Sequence, residues 1–339
     1  MKKLDSLFRK VTNDVLAGLL SLSGLLSVVF VSCEKGADDF LEEPPVNLDY
    51  EFHIEGITPD NYPNVDASTT AAPLQTLIAC KLLGINYSWA GSTIDETYSI
   101  DPQRNEIPDG FDFYERIKTS KTHDAILNII DKKADFIFSA RKMSDDEKKH
   151  AVEMGVTLIE TPIALDAFIF IVNPANPIRN LTTKQIQDIY TGKITNWKNV
   201  GGFKRNIEPL VRNQYSGSQE LMETLVMKDL QMKKWPVSFI MTGMMFAIRS
   251  VSDNPTRICY SLFYYNEQMI QESLVKTIAV DGVYPTKKTI KERQYPYVAE
   301  LYAVIRSDLD KSSMAYKLYE LLQTENAKFL ITEGGYIPN

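Results

Sequence analysis

An arginine four residues ahead of a Ser-Gly-Ser turn is the part of this sequence best suited to chemistry. The run Val211-Arg212-Asn213-Gln214-Tyr215-Ser216-Gly217-Ser218-Gln219-Glu220 leads straight into an amphipathic pattern with Leu221, Met222, Leu225, Val226 and Leu230 apolar. A guanidinium, two hydroxyls and the unpaired N–H groups of a helix start would converge on one point, which is how proteins hold an oxyanion. The same residues also fit an ordinary helix start, with Ser216 and Gln219 forming a capping box and Arg212 solvated. The elements around the stretch must decide between the two.

Strands alternate with helices along the chain. A strand is expected over Phe52–Ile57, then a helix that opens at Pro73 with Leu74, Leu77, Ile78 and Leu82 on its apolar face. Residues 86–112 are polar, aromatic and irregular; they read as a loop-rich insertion to which the sequence assigns no role. A short strand at 135–138 is followed by Ser139-Ala140-Arg141, then by a helix with Ser144 and Glu147 at capping-box spacing that stops at Gly155. Val156–Ile159 and Phe168–Val172 read as two strands, the second covered on both faces because its apolar residues do not alternate. Thr182 with Gln185 caps a helix that stops at Gly192, and further strands are expected over 207–212, 257–264 and 300–305. This alternation argues for α/β sheets flanked by helices, whose binding crevice lies at the carboxyl ends of the strands. Four hydroxyl-rich turns occupy such ends: 67–70, 119–124, 139–141 and 212–218. One such turn is a cap; four at equivalent places look like a site.

The whole chain bounds the answer further. Its 339 residues suit two domains, and 44% hydrophobic with 24% charged residues is a globular composition. The formal charge of −7 and the lack of any basic block exclude nucleic acid as a partner. No Gly-x-Ser-x-Gly, Walker loop, His-Glu-x-x-His or Cys-x-x-Cys is present, and His53, His123 and His150 are scattered, so no enzyme, metal or cofactor is expected. Lys2, Lys3, Arg9 and Lys10 precede an apolar run from Val15 to Ser32 that ends at Cys33, and the acidic, Pro-containing 34–48 reads as a tether. Residues 1–32 carry four positive and two negative side chains, so without them the charge falls to −9. An anion binder so charged needs a local, preorganised site, because long-range steering works against it. Cys80 and Cys259 both fall in apolar runs and are expected to be separate buried thiols.

These residues resemble a known family, the substrate-binding lipoproteins of bacterial phosphate ABC importers. The resemblance spans roughly Pro63 to Pro338 and is strongest over Ile163-Ala164-Leu165-Asp166, Ile171 to Pro177, Asn180-Leu181-Thr182 and Gly192 to Trp197 with Gly201-Gly202. Asp281 to Thr286 and Tyr295-Pro296 continue it downstream, and the leader resembles a lipoprotein signal. The resemblance implies a two-lobed periplasmic-binding-protein fold of type II-like topology, each lobe a mixed, mostly parallel sheet flanked by helices, with a hinge between. It implies a signal peptide over 1–32, a lipid anchor on Cys33 and a tether over 33–48. Lobe I would comprise 49–163 plus 297–339, and lobe II 164–296. The mature protein would be a monomer outside the cytoplasm, held at a bacterial membrane, handing inorganic phosphate to ABC permease subunits without catalysis. Thr70, Ala71, Thr122, Ser139 and Arg141 would contact phosphate from one side, and Arg212, Ser216, Gly217 and Ser218 from the other.

Two positions depart from the family. Its glycine-rich second loop is here Ser120-Lys121-Thr122-His123-Asp124-Ala125, and Ala140 stands where the family has serine or aspartate. That aspartate would accept the hydrogen of a protonated phosphate, a bond that fully ionised sulfate cannot make. Asp124 or Asp166 are the substitutes within the sequence. The alternatives kept open are therefore a binder or sensor of another oxyanion (sulfate, a phosphonate or a carboxylate) and an adhesion or structural lipoprotein that kept the fold and lost the site.

Overall fold

The computed structural model describes residues 50–92, 97–270 and 274–339. The expected leader, Cys33 and the tether lie outside the described residues. In chain order the first part comprises β1 (Val65–Ala67), a 3₁₀ turn (Thr69–Ala71), α1 (Ala72–Leu83), β2 (Tyr87–Gly91), β3 (Tyr98–Pro102), α2 (Phe113–Arg116), α3 (Thr122–Ile130), β4 (Phe136–Ser139), α4 (Asp145–Glu153) and β5 (Leu158–Val172). There follow β6 (Asn180–Leu181), α5 (Thr183–Tyr190), β7 (Glu208–Pro209), β8 (Val211–Arg212), α6 (Gly217–Leu221) running on into a π-helical turn (Met222–Met227), β9 (Ile240–Met241) and α7 (Met244–Asp253). The chain closes with β10 (Arg257–Leu262), a π-helical turn (Tyr265–Met269), β11 (Lys276–Val280), α8 (Lys287–Lys291), β12 (Val298–Arg306), α9 (Met314–Leu321), α10 (Glu325–Glu333) and β13 (Ile337–Pro338).

The main sheet has the order β1-β4-β12-β5-β10-β7, and β5 is its spine. Its first half pairs antiparallel with β12, and its second half, Phe168 to Val172, pairs with β10 on one side while Phe170 to Val172 pair with β11 on the other. The partners change at Asp166 to Phe168. The sheet is mixed, as expected, but antiparallel pairs hold its centre; the parallel ones, β1 with β4, β10 with β7 and β11 with β6, stand at its margins. A spine strand approached from both ends by returning strands has to pair antiparallel with them.

The two strands expected at 156–159 and 168–172 are thus one. Thr161-Pro162 looks like a break, yet Pro162 sits where the register shifts between Leu301 and Tyr302, and a bulge is where a strand tolerates proline. Ile163 to Val172 are buried throughout, since helices cover both faces. Residues 52–57 form no strand, although Phe52 and Ile54 are buried against the core. The 86–112 stretch is more ordered than its composition suggests, because β2 and β3 pair across five residues each. Cys80 and Cys259 are both free and buried, as expected.

Asp166 marks the point where β5 changes partners. Its Oδ1 accepts the Tyr264 N–H at 2.9 Å and the Ala167 N–H at 2.7 Å, which ties the spine to the end of β10. Burial pushes its carboxyl up to about 6, and the backbone N–H groups only partly offset this. The folded chain therefore keeps a proton that the unfolded chain releases above about pH 4, so stability falls as pH rises from about 4 to 6 and stays lower above. The loss is on the order of 2–3 kcal/mol. Asp166→Asn keeps the acceptor oxygen without the charge. In urea unfolding it should flatten that fall and exceed the parent in stability at pH 7; a pH dependence identical to the parent's would refute the assignment.

Candidate functional site

A cavity of about 380 Å³ lies where the carboxyl ends of β1 and β4 face those of β8 and β9. One wall comes from Ser68, Thr69, Thr70, Thr119, Lys121, Thr122 and Ala140, and the other from residues 212–213, 215–218 and 242–246 with Leu262, Tyr265 and Met269. Lys121 and Arg212 are cationic, and among the described residues no carboxylate lines the cavity. Helix starts converge here, and four of them lack a side-chain cap. Ser68 before the 3₁₀ turn, Lys121 before α3, Ser216 before α6 and Gly243 before α7 make no side-chain cap. The helices α2, α5, α8, α9 and α10 each accept a side-chain cap from Asp112, Thr182, Thr286, Ser313 and Thr324. Leading N–H groups left to an outside acceptor give the cavity a positive cast.

Arg212 is held rigidly. Its Nε donates to the Met241 carbonyl at 3.1 Å, and its backbone N–H donates to Gln219 Oε1 at 3.1 Å and to the Tyr260 hydroxyl oxygen at 2.9 Å. The capping box expected between Ser216 and Gln219 does not form: Gln219 Oε1 serves Arg212 and Tyr260, and Gln219 Nε2 donates to Glu223 at 2.7 Å. The conserved spacing of a box is not enough when a buried donor competes for the same oxygen. The Arg212 side chain is only 7% exposed, and among the described residues no carboxylate pairs with it. Burial lowers its pKa from the ordinary arginine value. A buried guanidinium without an acidic partner is costly unless something anionic completes it.

The opposite wall is clamped by Asp66. This buried carboxylate accepts the Ser120 N–H at 2.8 Å and the Asn128 side-chain amide at 2.7 Å. The clamp holds Lys121 at φ 73°, ψ 172°, a conformation nearly reserved for glycine and costing on the order of 1–3 kcal/mol for other residues. The Ser68 hydroxyl oxygen accepts the Ala140 N–H at 2.9 Å, and Tyr336 donates to the Thr70 carbonyl at 2.6 Å, so the 3₁₀ turn is fixed from both sides.

Of the residues expected at the site, Thr70, Thr122, Arg212, Ser216, Gly217 and Ser218 line the cavity together. Ala71, Ser139 and Arg141 are not among the lining residues. The Ala71 N–H closes the turn onto the Ser68 carbonyl at 2.9 Å. The Ser139 hydroxyl donates to the Arg141 carbonyl at 2.6 Å. Arg141 makes a bidentate pair with Glu147, at 2.7 and 2.8 Å, wholly inside the protein. Burial pushes the Glu147 carboxyl up, but Arg141, the Ser144 N–H and His123 outweigh it and hold it below the usual range. Asp166 is also away from the cavity, at the β5 changeover. Thr97, Thr242 and Gly243 lie outside the turns singled out from the sequence, while Thr119 and Asn213 fall within two of those turns without an assigned contact. The Thr242-Gly243 turn between β9 and α7 repeats the strand, hydroxyl turn and helix pattern of the other turns and was legible on that ground; Thr97 carries no local signal.

His123 links the buried pair to the other wall. Its Nδ1 lies 2.8 Å from Glu147 Oε1, and its ring stacks on Tyr215 at 4.7 Å between centroids. Glu147→Ala would leave Arg141 buried without its partner. It should cost about 3–5 kcal/mol in urea unfolding, and replacing Arg141 by Met in the same chain should recover much of that loss. A cost below about 1 kcal/mol would mean that the pair is solvated.

Comparison with known proteins places this geometry. A profile described as the PBP superfamily domain matches residues 109–321. The phosphate-binding protein PstS of Borreliella burgdorferi is 27% identical over 206 residues, covering 59% of this chain and 72% of its own. Its counterpart in Bacillus subtilis is 24% identical over 194 residues, covering 57% of this chain and 61% of its own, so the match spans about three-fifths of that relative. Among solved structures, an ABC-type phosphate transport receptor from Vibrio cholerae superposes with TM-score 0.57 at 23% identity, covering 83% of this chain and 99% of that one. A phosphate ABC transporter substrate-binding protein with bound phosphate from Clostridium perfringens superposes with TM-score 0.56 at 21% identity, covering 81% and 98%. At these identities the structural likeness concerns the fold: a mixed α/β architecture with helices flanking the sheet. With the profile covering more than half of its length, the chain belongs to the PBP superfamily.

Proposed function

We propose that this chain captures inorganic phosphate in the cavity between two lobes and presents it to an ABC permease, without converting it chemically. The observation that carries this reading is Arg212: a buried guanidinium, fixed by Met241, facing a cavity whose described lining holds two cations and no carboxylate. Bidentate guanidinium recognition of an oxyanion is the use to which such an arginine is suited. Thr70, Thr122, Ser216 and Ser218 supply hydroxyls, and the helix starts at Gly217 and Met244 supply N–H groups. Arg141 and Ser139 act behind this wall, through Glu147 and His123. The relatives are named as phosphate-binding proteins, which agrees with this choice of anion.

The lobes in this reading are 49–163 plus 297–339, and 164–296, because β5 exchanges one set of partners for the other between Asp166 and Phe168. A crossover of that kind is a place for a hinge. The Cys33 anchor, a monomeric state and an extracytoplasmic location at a bacterial membrane belong to the same reading.

Another oxyanion is the second reading, and Ala140 favours it. This residue lines the cavity where a carboxylate would take the proton of a phosphate, and no described lining residue supplies a carboxylate in its place. Without that charge-assisted hydrogen bond, worth roughly 1.5–3 kcal/mol, discrimination against sulfate should stay below about tenfold.

Thermal or urea unfolding tests this directly. Phosphate at about 100 times its Kd should add roughly 2.7 kcal/mol. Sulfate should do the same at higher concentration, and Arg212→Ala should abolish both responses. Gly217→Ala should weaken phosphate binding at least about tenfold, since a Cβ there would stand 2.5 Å from the Thr122 hydroxyl oxygen and force the walls apart. An unchanged phosphate response in Arg212→Ala would sink the assignment, and a response to sulfate alone would select the second reading.

A further inference from the structure

The cavity is larger and less polar than a bare tetrahedral anion requires. Its volume of about 380 Å³ falls in the range of roughly 300–1,000 Å³ that holds small organic ligands. Gaping walls do not account for that volume, because the walls already touch on two sides. Gly217 packs against Thr122 with no room for a Cβ, and Tyr215 stacks on His123. On another side Thr97 bridges to Ile270, so the β2–β3 hairpin meets the turn that contains Met269.

Within this space the lining divides by chemistry. Arg212, Lys121 and the hydroxyl turns make a cationic, hydrogen-bonding pole. Met244, Met245, Leu262 and Met269 add apolar surface, Leu262 and Met269 fully buried and the other two half-buried. Thioether side chains conform to varied apolar shapes, and apolar surface left against water is a loss that an organic group would recover. Among the described residues no acidic group lines the cavity to repel a dianion.

We infer that the site also takes a phosphoryl dianion carrying one short apolar substituent, a phosphonate or phosphate monoester, with the phosphoryl group at Arg212 and the substituent against Met244, Met245, Leu262 and Met269. This rests on the proposal that the cavity captures phosphate. The substituent replaces one phosphoryl oxygen or its hydrogen, and the absence of a carboxylate acceptor for a phosphate proton makes that replacement inexpensive.

Calorimetric titration of the full chain with inorganic phosphate and with phenylphosphonate tests the inference. Phenylphosphonate should bind at least as tightly as phosphate and displace it. Met245→Ser should weaken phenylphosphonate roughly fivefold or more while moving phosphate by less than about twofold, because only the substituent loses apolar contact. Retained phosphate binding in that variant reports that it folds. Phosphate binding with phenylphosphonate more than about 100-fold weaker, or equal losses for both ligands in Met245→Ser, would overturn the inference and leave phosphate capture standing. Binding of phenylphosphonate without phosphate would keep the inference and overturn the choice of inorganic phosphate; silence from both would overturn both.

Discussion

A positive charge taken out of water without a carboxylate to meet it is the constraint around which this protein is arranged. Arg212 emerges from a two-residue strand, and both its backbone and its Nε are engaged by neighbours that are themselves buried: Gln219, Tyr260 and Met241. Only the outer edge of the guanidinium is left without a partner among the described residues. The energetic debt of that arrangement lies with the fold, and under the proposed function an incoming oxyanion would remove it. Preorganisation of this kind puts the cost of ordering the site into folding rather than into binding.

The other buried arginine shows the contrast. Arg141 is as deeply covered as Arg212, yet Glu147 meets it with two short hydrogen bonds and His123 completes the carboxylate. Two arginines that each follow or end a strand beside hydroxyl residues therefore do opposite things. One is neutralised and shapes the wall behind the cavity; the other faces the cavity with no carboxylate partner among the described residues. The stacking of His123 on Tyr215 passes that internal arrangement to the far wall.

Between the walls runs β5, fifteen residues long, whose ladder changes hands at Asp166. A single strand shared by two sets of partners makes each wall an extension of the same backbone. One strained position lies at the cavity edge, where Lys121 takes a backbone conformation suited to glycine and Asp66 holds it there. Such strain at a binding loop is sustained by the surrounding hydrogen bonds.

The sequence by itself determined the alternation of strands and helices, the caps of α4 and α5, the buried second half of β5 and the turn that carries Arg212 to Ser218. Each of these depends on local periodicity, cap chemistry or turn residues, which neighbours in the chain specify. It also placed hydroxyl turns at the strand ends, and three of the four reach the cavity with their hydroxyls. What it did not determine is which arginine is free. Arg141 and Arg212 look alike in their local sequences, and the difference lies in a carboxylate six residues onward in one case and, among the described residues, in none paired with the other. The failure of the Ser216–Gln219 box, the unity of β5 across Pro162 and the place of Thr97 in the wall were likewise decided by tertiary contacts. In each, a partner distant in sequence, Tyr260, the bulged β12 or Ile270, outcompeted the local preference.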